Sequence, residues 1–103
     1  MKQTLRSCLL ALAACAPLLA NASDALATRY ACVACHQAER KVVGPSWKEI
    51  ATKYADGSKT PAQMAATIRA GSKGVWGPMA MPAQAAISEA DATTLATWVL
   101  QKR

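Results

Sequence analysis

The stretch YACVACHQ, Tyr30 to Gln37, sets two cysteines three residues apart and follows the second at once with the only histidine in the chain. Residues from Asp24 to about Ala38 contain few helix breakers. Leu26, Ala27, Tyr30, Ala31, Val33 and Ala34 give this segment a small-residue apolar face, so it reads as a helix. On a helix, positions 32, 35 and 36 project from one face within a single turn. Three other uses of such a cluster are weaker on elementary grounds, with a redox dithiol kept as the alternative. A structural zinc ion takes four protein ligands, and the domain beyond the leader offers two cysteines and one histidine. A redox dithiol of the thioredoxin kind sits after a strand, and no strand pattern precedes Cys32. A disulfide between cysteines three apart on a helix would be strained and would close a loop too short to matter.

Two thiolates at this spacing can add to the two vinyl groups on one edge of a porphyrin. The adjacent imidazole then lies under the ring, within reach of iron, and Cys-x-x-Cys-His is the recognised pattern of c-type haem attachment. The segment upstream reads as an address for export. Lys2 and Arg6 precede an apolar run, Cys8 to Ala20, which is short for a bilayer span and broken by Pro17. Ala20, Asn21 and Ala22 supply the small residues of a cleavage site, so residues 1–22 are expected to be a signal peptide, cut before Ser23, with 23–103 as one exported domain. That places the protein in the periplasm with no stable membrane insertion. LAAC, Leu12 to Cys15, also matches a lipobox, and cleavage there would tether the chain through Cys15; four such residues arise easily in an apolar leader, so the untethered product is preferred.

The 103-residue chain carries 12 Lys and Arg against 6 Asp and Glu, for a net charge of +6, and holds three Trp, two Tyr and no Phe. A basic surface favours acidic partners. Export and the scattering of the lysines argue against nucleic acid. A domain this small with so few large side chains builds a thin core, which a cofactor can complete.

Further along, Gly44 and Pro45 end any helix, and Pro45 biases Gly44 towards extended backbone. SWKEIATKYA then reads as a short helix buried along Trp47, Ile50, Ala51 and Tyr54. Thr60 is placed to cap a third helix with Pro61 at its first position. Met64, Ala65, Ile68 and Thr67 face inward there until Gly71 supplies a left-handed exit. Residues 71 to 86 are irregular but too apolar to be disordered, which marks them as functional. Ser88 and Asp91 start a last helix whose inner stripe is Ala92, Leu95, Ala96 and Val99, with Trp98 beside it and Lys102 and Arg103 at its negative end. No segment alternates with period two, so the expected class is all-α. The irregular loop offers Met79 and Met81 as thioether ligands, while Met64 reads as core. Pro82 holds Met81 in extended backbone, which suits it to point one side chain inward.

CVACH, VVGPSW, GSKGVWGPMAMP and LATWVL, in this order and spacing, resemble the small bacterial class I cytochromes c of the cytochrome c-551 type, and the likeness covers nearly all of 23–103. The resemblance implies about four short helices wrapped around one covalently attached haem. By the same resemblance Cys32 and Cys35 carry the thioethers, and His36 and Met81 bind the iron. It further implies that Met79 occupies the neighbouring apolar position, that the Pro45 carbonyl accepts from the other imidazole nitrogen, and that Trp76 donates to a haem propionate. The chain departs from the pattern at Thr67, where an arginine often sits near the inner propionate and which Arg69 could replace only if the helix rotated. Gln84 replaces a common asparagine, and Ala27 and Ala31 fill positions often taken by larger residues or glycine.

With both axial sites filled, iron has no seat for peroxide or oxygen and the lone imidazole is not free to act as a base. Asp24, Glu39, Glu49, Asp56, Glu89 and Asp91 fall at expected helix ends or polar faces. The expected function is therefore not enzymatic: a monomeric one-electron carrier between respiratory redox partners. Those partners would dock by acidic patches against Lys41, Lys48, Lys53 and Lys73, and the resemblance suggests a nitrite reductase, a terminal oxidase or a membrane cytochrome complex. The alternatives are a haem enzyme or gas sensor with a labile distal methionine, and a detached subunit of a larger reductase.

Overall fold

The computed structural model describes residues 23–103. The expected leader 1–22, its cleavage site and Cys15 lie outside the described residues. Helix α1 covers residues 23–29, a 3-10 turn covers Cys32–Ala34, and α2 (Trp47–Lys53), α3 (Pro61–Ala70) and α4 (Glu89–Leu100) follow. Among the described residues there is no strand, only two isolated bridges, His36 with Lys41 and Ser72 with Met81. No described helix is long and apolar enough to cross a membrane.

Short helices of this kind need their ends satisfied, because each leaves unpaired backbone groups at both termini. At α2 the Ser46 hydroxyl accepts from the Glu49 amide at 3.0 Å, and the Glu49 carboxylate accepts from the Ser46 amide at 2.7 Å. Thr60 and Gln63 form the same reciprocal pair at α3, with Pro61 next in line. At α4 the Ser88 hydroxyl accepts from the Asp91 amide at 3.1 Å.

Packing follows the apolar stripes. Helix α4 lies against both α2 and α3, and Ala92, Leu95, Ala96 and Val99 are all buried, as their spacing requires. Ile50, Met64, Ala65 and Ile87 complete that core, and Ala27 of α1 joins it. The alanines let the helix backbones approach closely. At the other end of the chain, the Tyr30 hydroxyl donates to Asp91 at 2.6 Å and ties the exit of α1 to the entrance of α4.

Two local expectations are corrected. The helix expected from Asp24 to Ala38 is not continuous: α1 ends at 29, and Ala31 takes left-handed backbone at φ 57° and ψ 23° before the 3-10 turn. A non-glycine residue there costs roughly 1–2 kcal/mol, and no glycine or proline announces the break. The break lies between Ala27, buried in the core, and His36, whose contacts are described below. Gly71 does have positive φ, at 77°, but its ψ of −179° is extended and not helical. The backbone of 81–83 crosses the end of α3 so close that a Cβ on Gly71 would sit 2.6 Å from the Met81 carbonyl oxygen.

Candidate functional site

The Cys-x-x-Cys-His segment keeps one helical hydrogen bond, from the His36 amide to the Cys32 carbonyl at 2.9 Å, although it is not part of a regular helix. That single turn is enough to bring both thiols and the imidazole to one side. Cys32 and Cys35 are half-buried free thiols, and burial pushes the Cys32 thiol above its ordinary range, with Cys35 adding a smaller push in the same direction.

His36 is buried, and its Nδ1 lies 2.6 Å from the Pro45 carbonyl oxygen. A carbonyl only accepts, so Nδ1 carries the proton and the lone pair of the neutral ring is on Nε2. The ring stacks on Trp47 at 4.8 Å between centroids with 25° between planes, and Trp47 meets Trp98 edge-on at 5.2 Å. Gly44 is required by the same ring, since a Cβ there would come 2.7 Å from His36 Cε1. Residues 37–46 are strapped in place around it. The Gly44 amide donates to the Cys35 carbonyl at 2.8 Å, and the Trp47 amide to Gln37 at 2.9 Å. The turn at Ala31 precedes this set of contacts, which hold the imidazole between Pro45 and Trp47.

On the distal side of the sequence, the Ser72 and Met81 backbones exchange hydrogen bonds at 3.1 and 2.9 Å. The bridge closes the irregular segment between them and fixes the half-buried Met81. Met79 is 64 % exposed.

All six residues singled out in the sequence, Cys32, Cys35, His36, Pro45, Trp76 and Met81, line one cavity of about 250 Å³. Packing voids are far smaller, and even an engineered apolar hole of roughly 150 Å³ is large enough to bind benzene. The space is walled by Ile50, Met64, Ile68, Leu95 and Val99 from α2, α3 and α4, so the core is built around it. Trp98 belongs to the same wall, and its buried indole N–H has no partner. An apolar slot holding two thiols, an imidazole with a bare Nε2 and a thioether suits a flat, apolar, iron-bearing macrocycle. Among the described residues no Asp or Glu lines it.

A family model described as "Cytochrome C oxidase, cbb3-type, subunit III" matches residues 20–99. Cytochrome c-552 of Nitrosomonas europaea is 49% identical over 81 residues, which span 79% of this chain and 79% of that protein. The chain belongs to this cytochrome c family. Cytochrome c-551 of Pseudomonas aeruginosa is 42% identical over 100 residues, 92% of the present cytochrome and 95% of its relative. The crystal structure of wild-type Nitrosomonas europaea cytochrome c552 superposes with a TM-score of 0.74 and 48% identity, covering 78% of this cytochrome and 99% of that chain. The fold is thus the class I cytochrome c fold, and the cytochrome's cofactor is covalently attached haem c.

Some expected contributors stand elsewhere. The side-chain amide of Gln84 donates to the Pro82 carbonyl at 3.2 Å and does not reach the cavity. Thr67 lines the cavity, but its hydroxyl donates to Gln63 within α3 at 3.1 Å. Arg69 is exposed and off the wall. Sequence reasoning missed the close approaches at Gly44 and Gly71 and the Trp47 stack. The Gly-Pro pair was legible as a helix stop, yet nothing in it shows that an imidazole rests on the glycine.

Proposed function

We propose that the cytochrome is a periplasmic one-electron carrier whose single haem is linked through Cys32 and Cys35 and ligated by His36 and Met81. The observation that carries this reading is the convergence of those four side chains on one cavity, with the His36 tautomer set by Pro45. When bound, haem supplies the ferric/ferrous couple. The Pro45 carbonyl orients the imidazole and raises its basicity as a ligand, and the thioether of Met81, a soft neutral donor, favours the reduced state. Trp76 lines the cavity, and its indole N–H would donate to a propionate oxygen. Because Pro45, Gly44 and Trp47 hold the imidazole on one side and the Ser72 bridge holds Met81, the ligand set stays nearly fixed when the charge changes, which suits outer-sphere transfer and leaves no place for a bound oxidant. His36 is committed to a ligand's role, and no carboxyl group of the described residues stands at the cavity to act as an acid or base, so the reading is not an enzyme.

Docking would use the face around the cavity mouth. Val33, Val42, Val43, Val75 and Met79 are exposed there or close by in sequence. Lys41, Lys48, Lys53 and Lys73 are exposed too. Such a face suits a redox protein with an acidic patch, such as a nitrite reductase, a terminal oxidase or a membrane cytochrome complex, met by a monomeric carrier. Transfer rates should fall as ionic strength rises; indifference to salt would remove the lysines from the account.

The decisive experiment is carbon monoxide binding to the ferrous protein purified from cells that attach haem. Slow or absent binding in wild type with rapid binding in Met81→Ala supports the carrier. Rapid binding in wild type at neutral pH would instead indicate a sensor or enzyme. Intact mass of the exported protein tests the leader: a start at Ser23 fits the soluble periplasmic form, and a lipidated Cys15 would overturn it.

A further inference from the structure

Among the described residues, two charged side chains stand on the cavity wall, Lys41 and Lys59. Lys41 is bridged through its backbone to His36 and so belongs to the end that holds the thiols. Lys59 enters from the turn between α2 and α3, is half-buried, and lays its ammonium over the Tyr54 ring at 5.2 Å. A second lysine, Lys53, sits over Tyr54 at 5.8 Å and over Trp76 at 5.3 Å. The nearest acid along the turn, Asp56, is turned to the Ser58 amide at 2.9 Å. The rim formed by Tyr54, Lys59 and Trp76 is therefore cationic, and no carboxylate of the described residues lines the cavity to answer it.

A lysine held half-buried on an aromatic face loses rotamer freedom and hydration, which is favourable only when an anion or the ring itself repays it. The macrocycle proposed for this cavity has two carboxylates on the edge opposite its vinyl groups. Fixing the vinyl edge at Cys32 and Cys35 sends the carboxylates away from the thiols. Thr67 cannot neutralise them, being uncharged with its hydroxyl spent inside α3, and Arg69 does not reach the cavity.

We propose that Lys59, steadied by Tyr54, is the counter-charge for a haem carboxylate and a determinant of the reduction potential. The inference rests on the haem reading above. A fixed positive charge beside the ring favours the added electron, so its removal lowers the potential. Spectroelectrochemical titration of the haem-loaded protein at low ionic strength tests this with Lys59→Gln, Lys59→Glu, Lys59→Arg and Arg69→Gln. The equilibrium constant for reduction should fall about threefold in Lys59→Gln and further in Lys59→Glu, while Lys59→Arg holds the wild-type value and Arg69→Gln leaves it unchanged. An unchanged potential in haem-loaded Lys59→Gln, or an equal fall in Arg69→Gln, would overturn the assignment and leave only a general surface-charge effect. Wild-type protein that carries no haem would overturn the underlying reading, and this one with it.

Discussion

Replacing Gly44 by alanine tests the geometry of the site with a single methyl group. The new Cβ would stand 2.7 Å from His36 Cε1, 3.1 Å from Nδ1 and 3.4 Å from the Cys35 carbonyl oxygen. Ordinary carbon contacts lie near 3.5–4.0 Å, so the imidazole must retreat by about 0.8 Å or more. It has little room to do so. Trp47 is stacked on the ring at 4.8 Å, and Nδ1 is held to Pro45 at 2.6 Å. The glycine cannot withdraw either, because its own amide is bonded to Cys35 at 2.8 Å. Overpacking of this kind costs about 1–3 kcal/mol, and partial loss of a buried hydrogen bond falls in the same range. We expect Gly44→Ala to lose about 2 kcal/mol in urea unfolding of the haem-loaded form, equivalent to roughly 8–16 °C in Tm for a domain of this size. The absorption bands that report iron ligation should shift as well. Gly57→Ala is the control: it meets nothing within 4 Å and carries only the strain of φ +80°, so it should lose about 1–2 kcal/mol with no spectral change. A Gly44→Ala protein within about 0.5 kcal/mol of wild type, with an unaltered spectrum, would refute the claim that the imidazole is wedged against this backbone.

Other substitutions probe the remaining supports. Ser46→Ala removes the cap of α2 from a fully buried hydroxyl and should lower the unfolding free energy measured in urea by about 1–2 kcal/mol, whereas Ser46→Gly should cost only a few tenths. Gly71→Ala would drive a methyl to 2.6 Å from the Met81 carbonyl and 2.8 Å from the Ala83 amide nitrogen. The Ser72 bridge should open, with about 2 kcal/mol or more lost and carbon monoxide binding approaching that of Met81→Ala; wild-type binding rates would argue that the bridge does not hold the ligand. Tyr30→Phe should be less stable at neutral pH through loss of the bond to Asp91. That bond, with smaller help from partial burial and the Asp91 charge, raises the Tyr30 pKa above its usual 10.0. The phenol's contribution is therefore complete below pH 10.0 and disappears as pH climbs through the raised value. Stability curves of wild type and Tyr30→Phe should converge in that alkaline range, and a gap that stays constant would assign the loss to packing.

Much of this protein is legible in its sequence because the relevant signals are local. Helix caps act over three residues, so Thr60 and Ser88 mark their helices without reference to the rest of the chain, and the Ser46 cap of α2 is of the same local kind though it was seen only in the structure. The stripe Ala92, Leu95, Ala96 and Val99 follows from helical period alone, and the Cys-x-x-Cys-His spacing is a chemical constraint written in five consecutive positions. What tertiary structure decided are the places where distant backbones meet. Ala31 has no local reason to leave the helix, and its turn lies between the buried Ala27 and a His36 held at the Pro45 carbonyl and the Trp47 face. Gly44 and Gly71 read as helix punctuation, yet each is held to glycine by an atom from another segment, an imidazole carbon in one case and the Met81 carbonyl in the other. Lys59 looks like any turn lysine until the fold sets it on Tyr54 at the cavity rim. Propensity and periodicity are summed over neighbours in sequence, whereas close approach, burial and the orientation of a ring depend on which surfaces the folded chain brings into contact.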